Sequence, residues 1–154
     1  MEYQIRDARV TDVDRITALY DAISGPQTGP LRTPLGGTDL LRQLVYLPQA
    51  VVLVADARRT IVGAVVLALR PSVRHGGFVA TFDLLAVQEG YERSGVIEAL
   101  VAQALRSARN KGCVVVEAAR PEDPDERALL EGYGFIEAPQ LLERALAAAP
   151  ASAA

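Results

Sequence analysis

The segment AVVLVADARRTIVGAVVLALR, residues 50–70, decides the fold of this chain. It contains two runs rich in β-branched residues, and the polar stretch DARRT at residues 56–60 separates them. Two such runs on either side of a short polar turn are typical of neighbouring antiparallel strands. The segment therefore predicts a β-hairpin.

Outside the hairpin, the spacing of apolar residues alternates between the strand period and the helix period. A predicted strand at residues 2–10 is followed by a helix that Thr11 and Asp14 open in the manner of a capping box. Residues 24–37 are rich in Gly and Pro, which disfavour helix and central strand, so a long loop is expected there. The remaining predicted elements are a helix at 38–47, a strand at 76–87, a helix that follows the loop at 88–95 and ends at Gly112, a fully buried interior strand at 113–119, a helix at 123–133 and a last strand from 134.

Composition limits the classes of protein that this chain can belong to. A length of 154 residues with 50% hydrophobic content is enough for one domain with its own core. We expect that domain over residues 1–140, followed by an alanine-rich tail at 141–154. The formal net charge of -3 argues against binding to nucleic acid or to an anionic membrane, because such surfaces need clustered positive charge. The N-terminal segment lacks a signal pattern and no apolar run has the length of a membrane span, so a cytoplasmic protein is expected.

The stretch AVQEGYERSGVIEALV, residues 86–101, combines a strand end, a polar loop with two glycines and the start of an apolar-striped helix. The first N–H groups of a helix have no partner inside it, so a junction of this kind suits a phosphate group. However, Glu89 and Glu92 place negative charge where an anion would bind. The loop is therefore a working phosphate site, an altered one, or only the start of a helix.

The order of predicted elements resembles that of the GNAT superfamily of N-acetyltransferases, from about residue 3 to about residue 139. Three features carry the resemblance: the hairpin with Gly63 after its turn, the strand FDLLAV that leads into the 88–95 loop, and DERALLEGYGF, which ends in Gly134 and Phe135. The resemblance implies an α+β fold with three αβα layers, in which a mixed, mostly antiparallel sheet splays after its fourth strand. It also implies that acetyl-CoA enters the splay and that a primary amine attacks it directly, with neither a metal ion nor a covalent enzyme intermediate.

The same resemblance implies residues that bind the cosubstrate, and two departures bear on them. The family usually has Arg or Gln where this chain has Glu92, and a small residue where it has Ile97. An alternative alignment, one residue shorter, gives the clamp role to Arg93, while Ile97 either turns into the core or crowds the cofactor. The expected contacts of acetyl-CoA are with Leu85, Ala86, Val87, Arg93, Ser94, Gly95 and Val96.

The residues at the positions of the catalytic base and acid match the family pattern less closely than the fold motifs do. Asp83 lies where some family members carry a general base, and strict alternation puts it on the same face as Thr81 and Leu85. A cross-sheet ion pair with Arg70 or Arg74 is the structural alternative for this carboxylate. The acid is often a tyrosine four residues before the Gly of Gly-Phe, but Leu130 stands at that position in this chain. Tyr133 is the nearby alternative, or else a surface or core aromatic residue.

Two other reactive side chains have structural interpretations. Cys113 is the single cysteine, which excludes a disulfide within the chain and a cysteine-based metal cluster. Because Cys113 lies in an apolar run, we expect a small buried strand residue and no nucleophile. His75 lies in a predicted turn, where a solvated imidazole is the more common case.

Two functions of different class follow from these residues. The first is an acetyl-CoA-dependent N-acetyltransferase that acts on a small-molecule or peptide amine, with Asp83 and the loop at 24–37 bordering the acceptor. The second is a GNAT-fold protein that has lost cofactor binding and acts as an interaction or regulatory module, because fold alone does not fix function. A homodimer is expected in either case, through apolar surface of the strand at 113–119 or of the last strand.

Overall fold

The computed structural model describes residues 2–24, 34–91, 95–121, 123–138 and 144. Its strands and helices are β1 (Gln4–Asp7), α1 (Val13–Ser24), α2 (Pro34–Leu44), β2 (Ala50–Ala57), β3 (Thr60–Ser72), β4 (Gly77–Val87), α3 (Val96–Asn110), β5 (Cys113–Ala118) and α4 (Pro124–Gly132). Within the described residues, the strands form one sheet in the order β1-β2-β3-β4-β5. Each neighbouring pair is antiparallel except β4 and β5, which are parallel. The mixed, mostly antiparallel sheet is therefore confirmed.

The predicted hairpin is formed by β2 and β3, in which Ala57 lies opposite Thr60. The two residues of its turn, Arg58 and Arg59, have φ values of 50° and 69°. A two-residue turn with both φ values positive matches the right-handed twist of the flanking strands. Asp56 holds this turn, because its Oδ1 accepts a hydrogen bond of 2.7 Å from the backbone N–H of Arg59.

Helices cover both faces of the sheet and give the three layers that the family resemblance implied. On one face, α1 and α2 bury a cluster with β2, β3 and β4 that includes Val13, Ile16 and Leu41. On the other face, the apolar side of α3 packs on the sheet through Val96, Leu100, Ala104 and Ala108, all with no measurable exposure. The helices thus bury their apolar sides against the two faces of the sheet, and this burial of apolar surface is the main favourable term in folding.

The close approach of α3 to the sheet depends on Gly63. A Cβ atom at this position would lie 2.8 Å from Leu100 Cδ1 and 3.0 Å from Val96 Cγ1. Both neighbours are fully buried, so neither can move aside into solvent. The hydrogen side chain of Gly63 thus sets the position of the helix whose N-terminus lies beside the site described below.

Replacing Gly63 with alanine is expected to lower the free energy of unfolding by about 1–3 kcal/mol, the usual cost of overpacking a filled core. Gly132 in α4 provides the matched control, because no atom lies within 4 Å of a Cβ built there. Chemical denaturation of Gly63→Ala and Gly132→Ala would measure both. If the two variants proved equally stable, the close contact between Gly63 and α3 would not limit the fold.

The start of α1 differs from the predicted capping box. A 3-10 turn over Val10–Asp12 precedes the helix, and Asp12 Oδ2 accepts a hydrogen bond of 2.7 Å from the Arg9 backbone N–H. Arg6 donates to both carboxylate oxygens of Asp12, at 2.7 and 3.0 Å, and its Nε donates to Asp56 at 3.2 Å. Asp14 is instead exposed and pairs with Arg42. The prediction was wrong because the capping carboxylate is the one that Arg6 already holds in place.

The strand at 113–119 was predicted to be fully buried in the sheet interior, and that prediction was wrong. β5 has β4 as its partner, and no other described strand adjoins it. Its residues are mostly half-buried, and 56% of Val114 is exposed. A continuous apolar run also occurs in a strand at the edge of a sheet, so the run alone cannot distinguish an interior strand from an edge strand.

Three further boundaries differ from the sequence prediction or cannot be compared with it. Residues 135–138 form no strand, so the last strand predicted from 134 is absent from this part of the chain. α2 starts at Pro34, which moves the end of the predicted loop toward residue 33, and Pro is well suited to a first helical turn. Of the predicted tail at 141–154, all but residue 144 lies outside the described residues.

The described helices are too short or too polar to cross a membrane.

Candidate active site

The candidate site is the cleft between β4 and β5. The two strands are paired up to Phe82, which lies opposite Ala118, where β5 ends. β4 continues to Val87 with β3 as its partner, so the two strands diverge and a cleft of about 190 Å³ opens between them. The cleft is lined by residues 82–85 of β4, Ile97 of α3, residues 118–121, and Glu126, Leu129 and Leu130 of α4.

A β-bulge places Asp83 at the point where the strands diverge. Leu67 lies opposite Phe82 and Val66 lies opposite Leu84, so Asp83 is an extra residue in β4. The bulge also interrupts the alternation, because Phe82 and Leu85 both pack on the α3 side of the sheet. The prediction that Thr81 and Leu85 share a face was therefore wrong, since one inserted residue reverses every later side chain.

Asp83 is an exposed carboxylate that lines the cleft. No other described residue forms a hydrogen bond or an ion pair with its side chain. Arg70, one of the two partners considered above, instead lies 3.5 Å from Glu117 of β5, and Arg74 forms no ion pair with Asp83. A cross-sheet ion pair therefore does not account for Asp83 in the described part of the chain.

The predicted cosubstrate residues of β4 can contact a ligand mainly through their backbone. Leu85 lines the cleft, but Ala86 is buried in the core on the α1 side and Val87 in the core on the α3 side. From Leu84 to Val87, the strand edge that faces away from β3 has no strand partner among the described residues. These unpaired backbone groups are of the kind that an amide-containing chain can pair with.

The N-terminus of α3 closes one end of this strand segment. Its N-cap residue is Gly95, with φ of 84°, and no side chain in the described residues caps the helix there. Among the described residues, no side chain occupies the first helical N–H groups, so these groups suit an anion, and the choice between a working and an altered phosphate site stays open. Val96 is fully buried, so it too would act through its backbone. Arg93, Ser94 and Glu92 lie outside the described residues, and their roles stay predictions.

Ile97 occupies the position where the family usually has a small residue. Its side chain packs partly against the α3-side core and also lines the cleft. The interpretation that Ile97 turns into the core therefore holds in part, and the interpretation that it crowds the cofactor stays a prediction. Ile97 narrows the cleft and makes its wall more apolar.

Tyr133 does not line the cleft. Its hydroxyl donates a hydrogen bond of 3.0 Å to the backbone carbonyl of Glu98, and its backbone N–H caps the end of α4. This contact joins the C-terminus of α4 to the first turns of α3. Leu130, by contrast, is buried and lines the cleft, but it has no proton to donate. The hypothesis that Tyr133 is the acid stays a prediction without a contact in its favour.

Glu126 is a carboxyl group in the cleft that the sequence analysis missed. It stands four residues before Leu130, so both side chains lie on one face of α4, and this spacing was the available signal. Partial desolvation, and to a smaller extent the negative charge of Asp123, raises the pKa of the Glu126 carboxyl above its usual value. The cleft thus contains two carboxyl groups, Asp83 on β4 and Glu126 on α4, in different surroundings.

Comparison with known protein families supports the resemblance inferred from the motifs. The sequence profile of the acetyltransferase (GNAT) family matches residues 16–135, which is most of the chain and includes the whole cleft. The chain belongs to the GNAT family. A comparison with curated proteins gives no match.

Solved structures share the GNAT fold at low sequence identity. A transcriptional regulator from Bacillus halodurans C-125 aligns with a TM-score of 0.78 and 18% identity, over 94% of this chain and 100% of the other. An aminoglycoside acetyltransferase from an uncultured soil metagenomic sample, in complex with sisomicin, has a TM-score of 0.74 and 16% identity, over 95% and 96%. AAC(6')-Iy, in complex with the bisubstrate analogue CoA-S-monomethyl-acetylneamine, has a TM-score of 0.74 and 17% identity, over 94% and 98%. At these identities, the likeness shows the fold alone.

Proposed function

We propose that this protein is an acetyl-CoA-dependent N-acetyltransferase that acts on a small cationic amine. The observation that carries the proposal is the divergence of β4 and β5 directly beside the N-terminus of α3, which no described side chain caps. This arrangement supplies unpaired strand backbone for an amide-containing arm and helix N–H groups for a phosphate, one after the other along a single cleft. Membership of the GNAT family supports the same reaction.

Acetyl-CoA would supply the activated acetyl thioester. In this proposal, the backbone of Leu85, Ala86 and Val87 binds its pantetheine arm, and Gly95 and Val96 bind its pyrophosphate through backbone N–H groups. Arg93 and Ser94 complete that phosphate site. Unpaired N–H groups of β4 would also stabilise negative charge on the thioester oxygen during attack.

The acceptor side is expected to favour positive charge. Asp83 lines the cleft and no described cation neutralises it, so an amine in its protonated form would bind beside it. The loop at 24–37 is expected to border the same pocket, although most of it lies outside the described residues. That two of the structures with this fold contain an aminoglycoside or an acetylneamine analogue supports a cationic acceptor.

The position and chemistry of Cys113, the single cysteine of the chain, favour direct attack by the amine over transfer through an enzyme thiol. Cys113 opens β5, at the end of that strand away from the cleft. Burial raises the pKa of the Cys113 thiol, which lowers its thiolate fraction and hence its nucleophilicity. In the proposed reaction, Asp83 therefore removes a proton from the amine, and no enzyme nucleophile takes the acetyl group.

Binding of acetyl-CoA is the experiment that tests this function. At about a hundredfold excess over the dissociation constant, the cosubstrate should stabilise the fold by about 2.7 kcal/mol. For a domain of this size, that corresponds to a rise in Tm of roughly 5–10 °C in a thermal melt. ADP at the same concentration serves as a control that lacks the pantetheine arm. A melt that millimolar acetyl-CoA leaves unchanged would contradict the proposal.

A regulatory or interaction module without cosubstrate is the second candidate, and one observation favours it. Glu98 places a carboxylate in the first turn of α3, and its buried Oε2 has no hydrogen-bond partner among the described residues. A carboxylate there satisfies the helix dipole and repels a phosphate. The same melt distinguishes the two functions, because a module of this kind would not respond to acetyl-CoA. A homodimer through the exposed edge of β5 stays a prediction under either function.

A further inference from the structure

We propose that Glu126 is the general acid of this cleft, which donates its carboxyl proton to the sulfur atom that leaves as CoA. This inference rests on the proposed acetyltransferase function and names a residue for a step that Leu130 cannot perform. It assigns the two carboxyl groups of the cleft opposite tasks: Asp83 accepts a proton and Glu126 donates one.

The position of Glu126 is the first argument. It lines the same cleft as Asp83 but from the opposite wall, on α4 and not on β4. Its side chain lies one turn before Leu130 on the same helix face. A group on this face adjoins the space between the diverging strands, where the thioester would lie in the proposed complex.

The partners of Glu126 are the second argument. Its side chain forms no hydrogen bond or ion pair with another described residue. The neighbouring cations are already occupied, because Arg120, which lines the cleft, and Arg127, on the same helix, both bind the carboxylate of Glu137. Among the described residues, no arginine therefore holds Glu126 in its ionised form.

The charges around the cleft favour the protonated state of this group. Asp83 faces the cleft from β4, Asp123 precedes α4, Arg120 follows β5, and α3 contributes the uncharged Ile97. Of these described groups, Asp123 adds to the rise in the pKa of Glu126, and the cation Arg120 is paired with Glu137. Partial desolvation acts in the same direction and raises the pKa of Glu126, and a bound pantetheine arm would remove more water from it.

Protons and bonds balance in this scheme. The amine nitrogen forms a bond to the acetyl carbon, the carbon–sulfur bond breaks, and its electron pair stays on sulfur. The bound ammonium group first loses one proton to solvent; Asp83 then takes a second proton from the nitrogen as it attacks, while Glu126 gives one proton to the sulfur. The products are the N-acetylated amine and CoA thiol, and solvent returns the proton from Asp83 to Glu126 after release. The two carboxyl groups thus end in the states in which they began.

The first test measures the proton on Glu126 directly. Protein labelled with ¹³C at the glutamate carboxyl carbon is titrated by NMR, free and with CoA bound, and Glu126→Gln identifies the signal. We expect a pKa above that of the other exposed glutamates, and a further rise when CoA binds. An ordinary pKa in the CoA-bound protein would overturn the general acid but leave acetyl transfer standing. Failure of the wild-type protein to bind CoA would overturn both.

The second test is kinetic, with small polyamines, sisomicin among them, as acceptors. Glu126→Gln should lower kcat by about 10²–10⁴-fold while the KM for acetyl-CoA changes by no more than about twofold. The wild-type fall in kcat at high pH, where the acid loses its proton, should disappear in this variant. Glu126→Asp should retain part of the activity. Asp125→Asn makes the same change from carboxyl to amide in the same turn of α4, outside the cleft lining, and should match wild type. An unchanged kcat and pH profile in Glu126→Gln would refute the assignment.

Discussion

Replacing Asp12 with alanine is expected to lower the free energy of unfolding by about 1.5–3 kcal/mol, because it breaks a nearly buried, charge-assisted contact and leaves Arg6 with its longer contact of 3.2 Å to Asp56. Only 4% of the Asp12 side chain and 17% of the Arg6 side chain are exposed. The variant also removes the acceptor of the Arg9 N–H, so three hydrogen bonds to the Asp12 carboxylate are lost at once. Denaturant unfolding followed by circular dichroism would measure the loss.

Asp14, two residues away, provides the matched control. It pairs with Arg42, but 79% of its side chain is exposed. Exposed pairs of this kind contribute about 0–1 kcal/mol, so Asp14→Ala should have little effect. If the two alanine variants unfolded at the same denaturant concentration, burial of the Arg6–Asp12 pair would carry no extra stability.

The contribution of Asp12 should also depend on pH. The hydrogen bond from Arg6 holds the pKa of the Asp12 carboxyl below its usual value, and the Arg9 N–H acts in the same direction. A pKa that is lower in the folded state gives stability that is fully present above the unfolded pKa and is lost as pH falls through the folded value. The difference in stability between wild type and Asp12→Asn should therefore shrink as the solution is made acidic.

Replacing Asp83 with asparagine is expected to lower kcat for an identified amine by about 10²–10⁴-fold, the usual contribution of a positioned base. Asparagine keeps the size of the side chain but cannot take the amine proton. Because Asp83 is exposed and unpaired in the described part of the chain, the substitution should leave the stability of the fold nearly unchanged. Steady-state kinetics with acetyl-CoA and the amine, together with a thermal melt, would separate the two effects.

Glu117 serves as the control for this experiment. It lies opposite Thr81 on the neighbouring strand, pairs with Arg70 and does not line the cleft. Glu117→Gln removes the same charge from the same region and should retain the wild-type kcat. Full activity in Asp83→Asn would mean that the amine loses its proton to another group or to water.

The fold could be predicted from local patterns because each of its main elements carries its own signal. The hairpin of β2 and β3, the strand before the 88–95 loop and the apolar stripe of α3 all follow from the spacing of apolar residues, and the structure confirms them. What spacing could not predict is which strand lies at an edge. β5 and an interior strand both read as an apolar run, and the difference depends on partners that are distant in sequence.

The site could be predicted less completely, and the bulge at Asp83 shows why. An extra residue in one strand is defined only by its pairing with the neighbouring strand, so alternation within β4 cannot reveal it. Glu126 escaped notice for a similar reason. Its raised pKa comes mainly from partial desolvation in the cleft, with a smaller contribution from nearby Asp123. The walls that desolvate it, and the pairing of Arg120 and Arg127 with Glu137, are not visible in the sequence around residue 126.

The connection between β4 and β5 has a consequence for how the chain folds. β2, β3 and β4 follow one another through short turns, so their contacts form between residues that are near in sequence. A parallel partner requires a long crossover, and here α3 must first cross the sheet. Contacts that close long loops form late, because the chain loses conformational entropy on closing the loop before the new contacts stabilise it. The antiparallel meander is therefore expected to assemble first, and the two walls of the candidate cleft meet only in the final stage of folding.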